Sequence, residues 1–200
     1  SERVTEFAVL LSKELNLAHE EIENIRQAAI LHDIVKIGIS ETILTKKGRL
    51  TDEEFATIKL HPSIGDSIVE PMALNPIVRA GIRNHHERWD GRGYPDGLAG
   101  EKIPFSARII ALADAFDAMT SNRPYRDAMA MEKVYSEFIK CAGGQFDPNL
   151  AEVFVNMLKK MDAKTLTSQN AGSLTAEPIN NIENIPSPAS AASSGPASPK

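Results

Sequence analysis

A single cysteine, Cys141, in a chain of 200 residues excludes an internal disulfide framework and a zinc cage built from thiolates. Any metal held here must therefore be met by nitrogen and oxygen ligands. A basic surplus is missing as well: 22 Lys and Arg stand against 27 Asp and Glu, a formal net charge of −5. That balance argues against a partner that is a nucleic-acid polymer. It leaves room for a small anionic substrate held by a local arginine cluster. No apolar run approaches the ~18–20 residues that cross a bilayer, and no signal-peptide pattern opens the chain. The expectation is a protein with no membrane span in this stretch and a cytoplasmic, reducing setting.

Two features of the ends bear on domain organisation. The first residue is Ser rather than Met, and helical periodicity starts at once, with Val4, Phe7, Leu11 and Leu15 on one face. The chain reads as starting inside a helix, with an upstream regulatory domain expected ahead of it. From about residue 165 to 200 there is no aromatic residue, and the only charged residues are Glu177, Glu183 and Lys200. Such a stretch, rich in Ser, Ala, Asn and Pro, buries too little apolar surface to offset its ordering entropy. Residues 164–200 are thus expected to form a disordered low-complexity tail behind a domain spanning 1–163, the alternative being a linker to a partner domain.

Within 1–163 the 3.6-residue period predicts helices near 2–15, 20–35, 52–59, 62–70, 76–86, 104–120, 130–141 and 148–161. Pro62, Pro76, Pro104 and Pro148 stand at or near the starts of four of them, where a missing N–H costs least. Sustained period-2 alternation and internal repeats are lacking, so the fold class is all-α. Residues 89–102, with Gly91, Gly93, Gly97, Gly100 and Pro95, read as a long structured loop.

The polar residues inserted into apolar helices carry the chemistry. In Ala28-Ala29-Ile30-Leu31-His32-Asp33-Ile34-Val35-Lys36, His32 shares a face with Ile22, Ile25 and Ala29 and should point inward. A lone His there reads as a core residue bonded to a neighbour; with Asp33 beside it, a metal site becomes an equal reading, because buried ionisable groups need compensation. His61, just before Pro62, could cap a helix, and His85-His86, ahead of the glycine-rich loop, could lie in solvent. Asp114 stands in Ile109-Ile110-Ala111-Leu112-Ala113-Asp114-Ala115-Phe116, where a carboxylate demands a cation or several donors. Mixed imidazole and carboxylate ligands suit iron, manganese, zinc or nickel better than calcium or magnesium. Such a number of ligands suggests more than one ion, with Asp33 suited to bridging; a pair of ions could activate water against a phosphoryl group. Arg123 and Arg126 follow the Asp114 helix and could fork onto phosphate oxygens, with Lys36 adding charge. Ion pairing with the plentiful carboxylates is the rival reading. His19, at a helix start, carries no assigned chemistry.

These residues together resemble the HD-GYP family, bacterial cyclic di-GMP phosphodiesterases within the HD phosphohydrolase superfamily. The resemblance rests on His32-Asp33 with Lys36, His61-Pro62-x-x-Gly65, Asp114-Ala115-Phe116-Asp117-Ala118, Arg123-Pro124-Tyr125-Arg126 and Gly144-Gln145-Phe146-Asp147-Pro148. Most specific is the string His85-His86-Glu87-Arg88-Trp89-Asp90-Gly91-Arg92-Gly93-Tyr94-Pro95. The resemblance implies an HD-type helical bundle holding two or more divalent ions, iron or manganese, on His32, Asp33, His61, His85, His86 and Asp114. It implies that Asp33 and Lys36 serve catalysis, and that Lys36, Arg123, Arg126 and Tyr94 contact the substrate. It also implies hydrolysis of cyclic di-GMP to the linear dinucleotide and on to GMP, and contacts between the Gly93-Tyr94-Pro95 loop and diguanylate cyclase domains. Two departures stand out. The family's further ligand His, three positions before an Arg-Val pair, would fall just ahead of Ser1, since Arg3-Val4 is that pair; and Val35 replaces the usual Gly. An alternative is therefore a non-catalytic module that binds a cyclic dinucleotide or a cyclase through an incomplete metal site. A third reading is an HD phosphohydrolase acting on another nucleotide.

Overall fold

The computed structural model describes residues 2–35, 46, 48, 51–122 and 127–173, with side chains through Lys164. The described regular structure is helical: α1 (Glu2–Glu14), α2 (His19–Leu31), α3 (Asp52–Lys59), α4 (His61–Val69), α5 (Pro76–Asn84), α6 (Phe105–Thr120), α7 (Met131–Cys141) and α8 (Pro148–Ser173). Short 3-10 turns cover Glu70–Met72 and Gly100–Lys102. No strand occurs among the described residues; Asp90 with Ala99 and Ala142 with Phe146 form isolated bridges only.

Helix starts follow the local chemistry. Thr51 and Glu54 close a capping box, Glu54 N donating to Thr51 Oγ1 at 3.2 Å and Thr51 N to Glu54 Oε2 at 2.7 Å. Asn75 Oδ1 accepts from Ile77 N at 2.9 Å, with Pro76 in the first helical position. Three helix ends differ from the periodicity. α2 stops at Leu31 rather than near residue 35, and α5 at Asn84 rather than 86, because a histidine follows each and turns its ring back onto a last-turn carbonyl. α8 runs beyond 161 to Ser173. No proline interrupts it before Pro178, and extending an existing helix lacks the cost of nucleation.

By its contacts the chain divides into Ser1–Ala163 and Lys164–Lys200. The core of the first unit is built around α6, which buries Ile109, Ile110, Leu112, Ala113 and Phe116 and packs against α1, α2, α5 and α7. A helix with apolar side chains around most of its circumference suits a central position. From α1, Val4, Ala8 and Leu11 are buried at helical spacing, while Phe7 sets its edge on Phe116, ring centroids 4.4 Å apart. Phe116, Phe138 and Phe154 tie α6, α7 and α8 together through edge contacts at 5.3 and 5.8 Å. Gly81 lets α5 come close to α2: a Cβ there would lie 2.8 Å from that of Ala28. This packing brings the ends of α2, α3 and α5 to the middle of α6, where Asp114 projects.

Candidate metal centre

A helix leaves its last carbonyls without partners. In α2, α3 and α5 a histidine just beyond the helix supplies one. The Nδ1 atoms of His32, His61 and His85 lie 2.7, 2.7 and 2.8 Å from the carbonyl oxygens of Ala29, Ile58 and Ile82, each three residues back. A carbonyl only accepts, so each Nδ1 carries the proton and each Nε2 turns a lone pair toward the interior. The three rings are almost completely buried. Helix C-termini also carry partial negative charge, which favours a cation where three of them converge.

The inward-facing atoms converge. His61 Nε2 and His85 Nε2 are 3.2 Å apart, so two lone pairs oppose each other unless a proton or cation lies against them. Asp33 spans the cluster: its Oδ2 is 3.2 Å from His32 Nε2 and its Oδ1 3.6 Å from His61 Nε2. Asp114 Oδ1 reaches to 3.9 Å from His32 Nε2. His86 packs against His85 and His61, ring centroids 4.2 and 4.9 Å apart. Two sets of donors result, His61 with His85 and His86, and His32 with Asp33 and Asp114; within each, the ligand atoms lie within 4.8 Å of one another. All six residues singled out from the sequence thus meet in one place. The donor set fits divalent metal: neutral imidazoles with their second nitrogen fixed, plus carboxylates.

Electrostatics differ between the two sets. Burial disfavours the charged form of His32, but Asp33 and Asp114 outweigh it and raise its pKa. Burial, reinforced by His86 and His32, pushes the pKa of His85 well down, keeping its Nε2 unprotonated and able to ligate. Tyr94 stacks on His86, ring centroids 4.9 Å apart at 29°. Burial, with the Asp114 and Asp33 carboxylates adding to it, pushes its hydroxyl up to about 12, so it stays a neutral donor. Lys36, Arg123 and Arg126 lie outside the described residues. Val35 is buried, its Cγ2 3.4 Å from where a Cβ on Gly65 would stand. The extra bulk at 35 is thus matched by the absence of a side chain at 65.

The loop that carries Tyr94 is held by residues to which the sequence assigned no separate role. Buried Glu87 accepts hydrogen bonds from the backbone N–H groups of Asp96, Gly97 and Leu98 at 2.7, 3.0 and 3.0 Å. Asp96 in turn accepts from Arg83 and Asn84. Asp90 accepts from Arg88 and Arg92, and the N–H groups of Trp89 and Asp90 donate to the carbonyls of Gln145 and Gly144. An acidic residue inside a string of histidines and glycines is the one available signal for Glu87, but the amides that it gathers lie nine to eleven residues on. Lys59 was also missed: its Nζ stands 5.6 Å from the Tyr94 ring centroid. Glu87→Gln turns one acceptor oxygen into a donor against N–H groups and should cost roughly 2 kcal/mol; urea unfolding measures it.

Asp90 gives the loop an acid limit. Hydrogen bonds from Arg88 and then Arg92 hold its carboxyl well below the ordinary value of 3.8. A pKa depressed in the folded state contributes stability above the unfolded value, and that contribution is lost as pH falls through the folded one. The stability difference between the wild type and Asp90→Asn should therefore be constant above about pH 5 and shrink below about pH 4. Urea midpoints across pH 3–7 test this; a difference independent of pH would contradict it.

The family described as HD domain matches residues 1–150. The chain belongs to the HD domain family. Within it the HD-GYP resemblance of the string at 85–95 holds. Over 157 residues this HD-domain chain is 41% identical to the cyclic di-GMP phosphodiesterase response regulator RpfG of Xanthomonas campestris, covering 77% of this chain and 41% of that protein. It is 38% identical to a cyclic di-GMP phosphodiesterase of Thermotoga maritima, covering 92% of this chain and 53% of the relative. The chain thus spans about half or less of the length of these curated relatives. The fold is shared with a solved cyclic GMP-AMP specific phosphodiesterase of Vibrio cholerae, at TM-score 0.60 and 20% identity over 78% of this chain and 43% of that one. No helix among the described residues is long and apolar enough to cross a membrane.

Proposed function

We propose that residues 1–163 form a metal-dependent phosphodiesterase domain that opens cyclic di-GMP to the linear dinucleotide and releases GMP on further hydrolysis. The observation that carries this reading is Asp33, whose two oxygens face His32 and His61 at 3.2 and 3.6 Å and so join two sets of inward-facing donors. His32, Asp33 and Asp114 would hold one divalent ion, and His61, His85 and His86 a second. Iron or manganese suits this mixture of imidazole and carboxylate. Ions at such a centre supply a hydroxide nucleophile near neutral pH and neutralise charge on the phosphoryl oxygens.

The protein's own residues do the rest. Asp33 would hold the two donor sets in register, and the tethered Nδ1 atoms would keep the rings from turning. Tyr94, neutral and stacked on His86, would donate a hydrogen bond to the substrate at the mouth. Lys36, Arg123 and Arg126 are assigned to the phosphates on the HD-GYP pattern, and Asp33 and Lys36 to catalysis. The Gly93-Tyr94-Pro95 loop is the surface assigned to diguanylate cyclase domains, in a cytoplasmic signalling protein. Residues 164–200 are assigned to a low-complexity tail.

The test is turnover of cyclic di-GMP by the chain after loading with Mn(II) or Fe(II), alongside its metal content. Release of the linear dinucleotide, dependent on metal, is the expected result. Tight cyclic di-GMP binding without hydrolysis at full metal loading would overturn the enzymatic reading in favour of a binding module.

A further inference from the structure

From the metal centre a cavity of about 440 Å3 extends beyond what the phosphodiester chemistry needs. His85, His86 and Asp114 line it, and so do Glu137 and Gln145, on α7 and the turn that follows it. Along α6 its wall includes the methyl groups of Ala111, Ala115 and Ala118, one face of the helix at i, i+4 and i+7, with the longer side chain of Met119 beside them. The three alanines leave room there for a planar ring. Glu137 and Gln145 are available to a ligand. Among the described residues the Gln145 side-chain amide makes no protein hydrogen bond, although its backbone N–H is tied to Cys141 O at 2.9 Å. Glu137 has Lys140 at 3.7 Å, one turn along an exposed helix face, a weak pairing.

We propose that Glu137 and Gln145 form a base-reading subsite that selects guanine in the cyclic dinucleotide. This inference rests on the reading of the chain as acting on cyclic dinucleotides. Guanine presents N1–H and N2–H donors beside an O6 acceptor on its Watson–Crick edge. The Glu137 carboxylate accepts the two donors, and the Gln145 amide N–H donates to O6. Adenine offers an N1 acceptor where guanine has a donor, so the carboxylate faces a lone pair and the amide N–H faces an amino group. Sites that meet a substrate's own donors reject analogues lacking them, since their polar groups are then left unpaired. The alanine wall takes the face of the purine without reading it, and the adjacent metal centre then meets the phosphodiester.

The test compares wild type, Glu137→Gln and Gln145→Leu on cyclic di-GMP and cyclic di-AMP. Two readouts are taken: kcat/KM with Mn(II), and Kd by calorimetry after EDTA treatment. The wild type should prefer the guanine ligand by at least about 10-fold, and Glu137→Gln should remove most of that preference. Glu137 is partly exposed, so its substitution leaves the core intact; Gln145→Leu should weaken the preference independently. Wild-type preference retained in both variants, or no preference in the wild type, overturns the subsite whatever the turnover. Guanine-selective binding that Glu137→Gln abolishes, without turnover of either ligand, sinks the phosphodiesterase reading and keeps the subsite.

Discussion

Asp33→Ala is expected to reduce the turnover of cyclic di-GMP by at least about 1000-fold and to lower the metal content of the purified protein. Three consequences of its position set that size. The oxygens of Asp33 face both donor sets, at 3.2 Å from His32 and 3.6 Å from His61. Its charge, with that of Asp114, outweighs the burial of His32. Without it, closely packed imidazoles at 4.2–5.3 Å between centroids would have Asp114 as the remaining carboxylate of the two donor sets. Asp33→Asn separates charge from shape, keeping the size while losing the negative charge. It should lose metal nearly as fully. Metal analysis, turnover and circular dichroism on the same preparations provide the check. Turnover within tenfold of the wild type at unchanged metal content would remove Asp33 from the centre.

Gly93→Ala is expected to destabilise the fold by about 3 kcal/mol or more and to cost about 100-fold in kcat/KM. A Cβ at this position would stand 2.3 Å from the backbone nitrogen of Arg88 and 2.5 Å from Glu87 Cα. Neither is the end of a flexible side chain, so the loop itself must move. The movement pulls on both sides of the site. Upstream, Glu87 holds three amides of the same loop, and the ring of His86 lies one residue before it. Downstream, Tyr94 N donates to His86 O at 3.3 Å, and its ring stacks on that of His86. A shift of about 1 Å at Gly93 therefore separates Tyr94 from the metal centre, and displacement on that scale is enough for the predicted loss. Urea unfolding and steady-state kinetics measure the two effects. Stability within about 0.5 kcal/mol of the wild type would show that the loop does not approach the backbone this closely.

Particular residues show what could be read in advance. Val4, Leu11, Ile25 and Ile110 lie in the core as their spacing predicts, because burial of an amphipathic face is a local pattern. The six His and Asp residues were legible as odd polar groups among apolar neighbours or beside breaks in the helices. How they meet was not. His32 was expected within a helix, yet the helix ends at Leu31 and the ring serves as its closing hydrogen-bond partner. A period of 3.6 reports which face is apolar but is silent on where a side chain takes over a carbonyl from the next turn.

Glu87 makes the same point from the loop. Its identity was visible in the string at 85–95, but its role depends on three amides brought back by the turns at Gly91 and Gly97, whose φ values are 76° and 66°. Composition and cysteine count restricted the metal chemistry to nitrogen and oxygen ligands, periodicity set the helices, and the motif string identified the family. These are properties of short stretches or of the whole inventory, and they survive without coordinates. The joining of two helix ends by Asp33, the meeting of His61 Nε2 with His85 Nε2, and the cavity lined by both the histidines and Glu137 and Gln145 are different in kind. They depend on contacts between residues tens of positions apart, and those exist only once the core around α6 has packed.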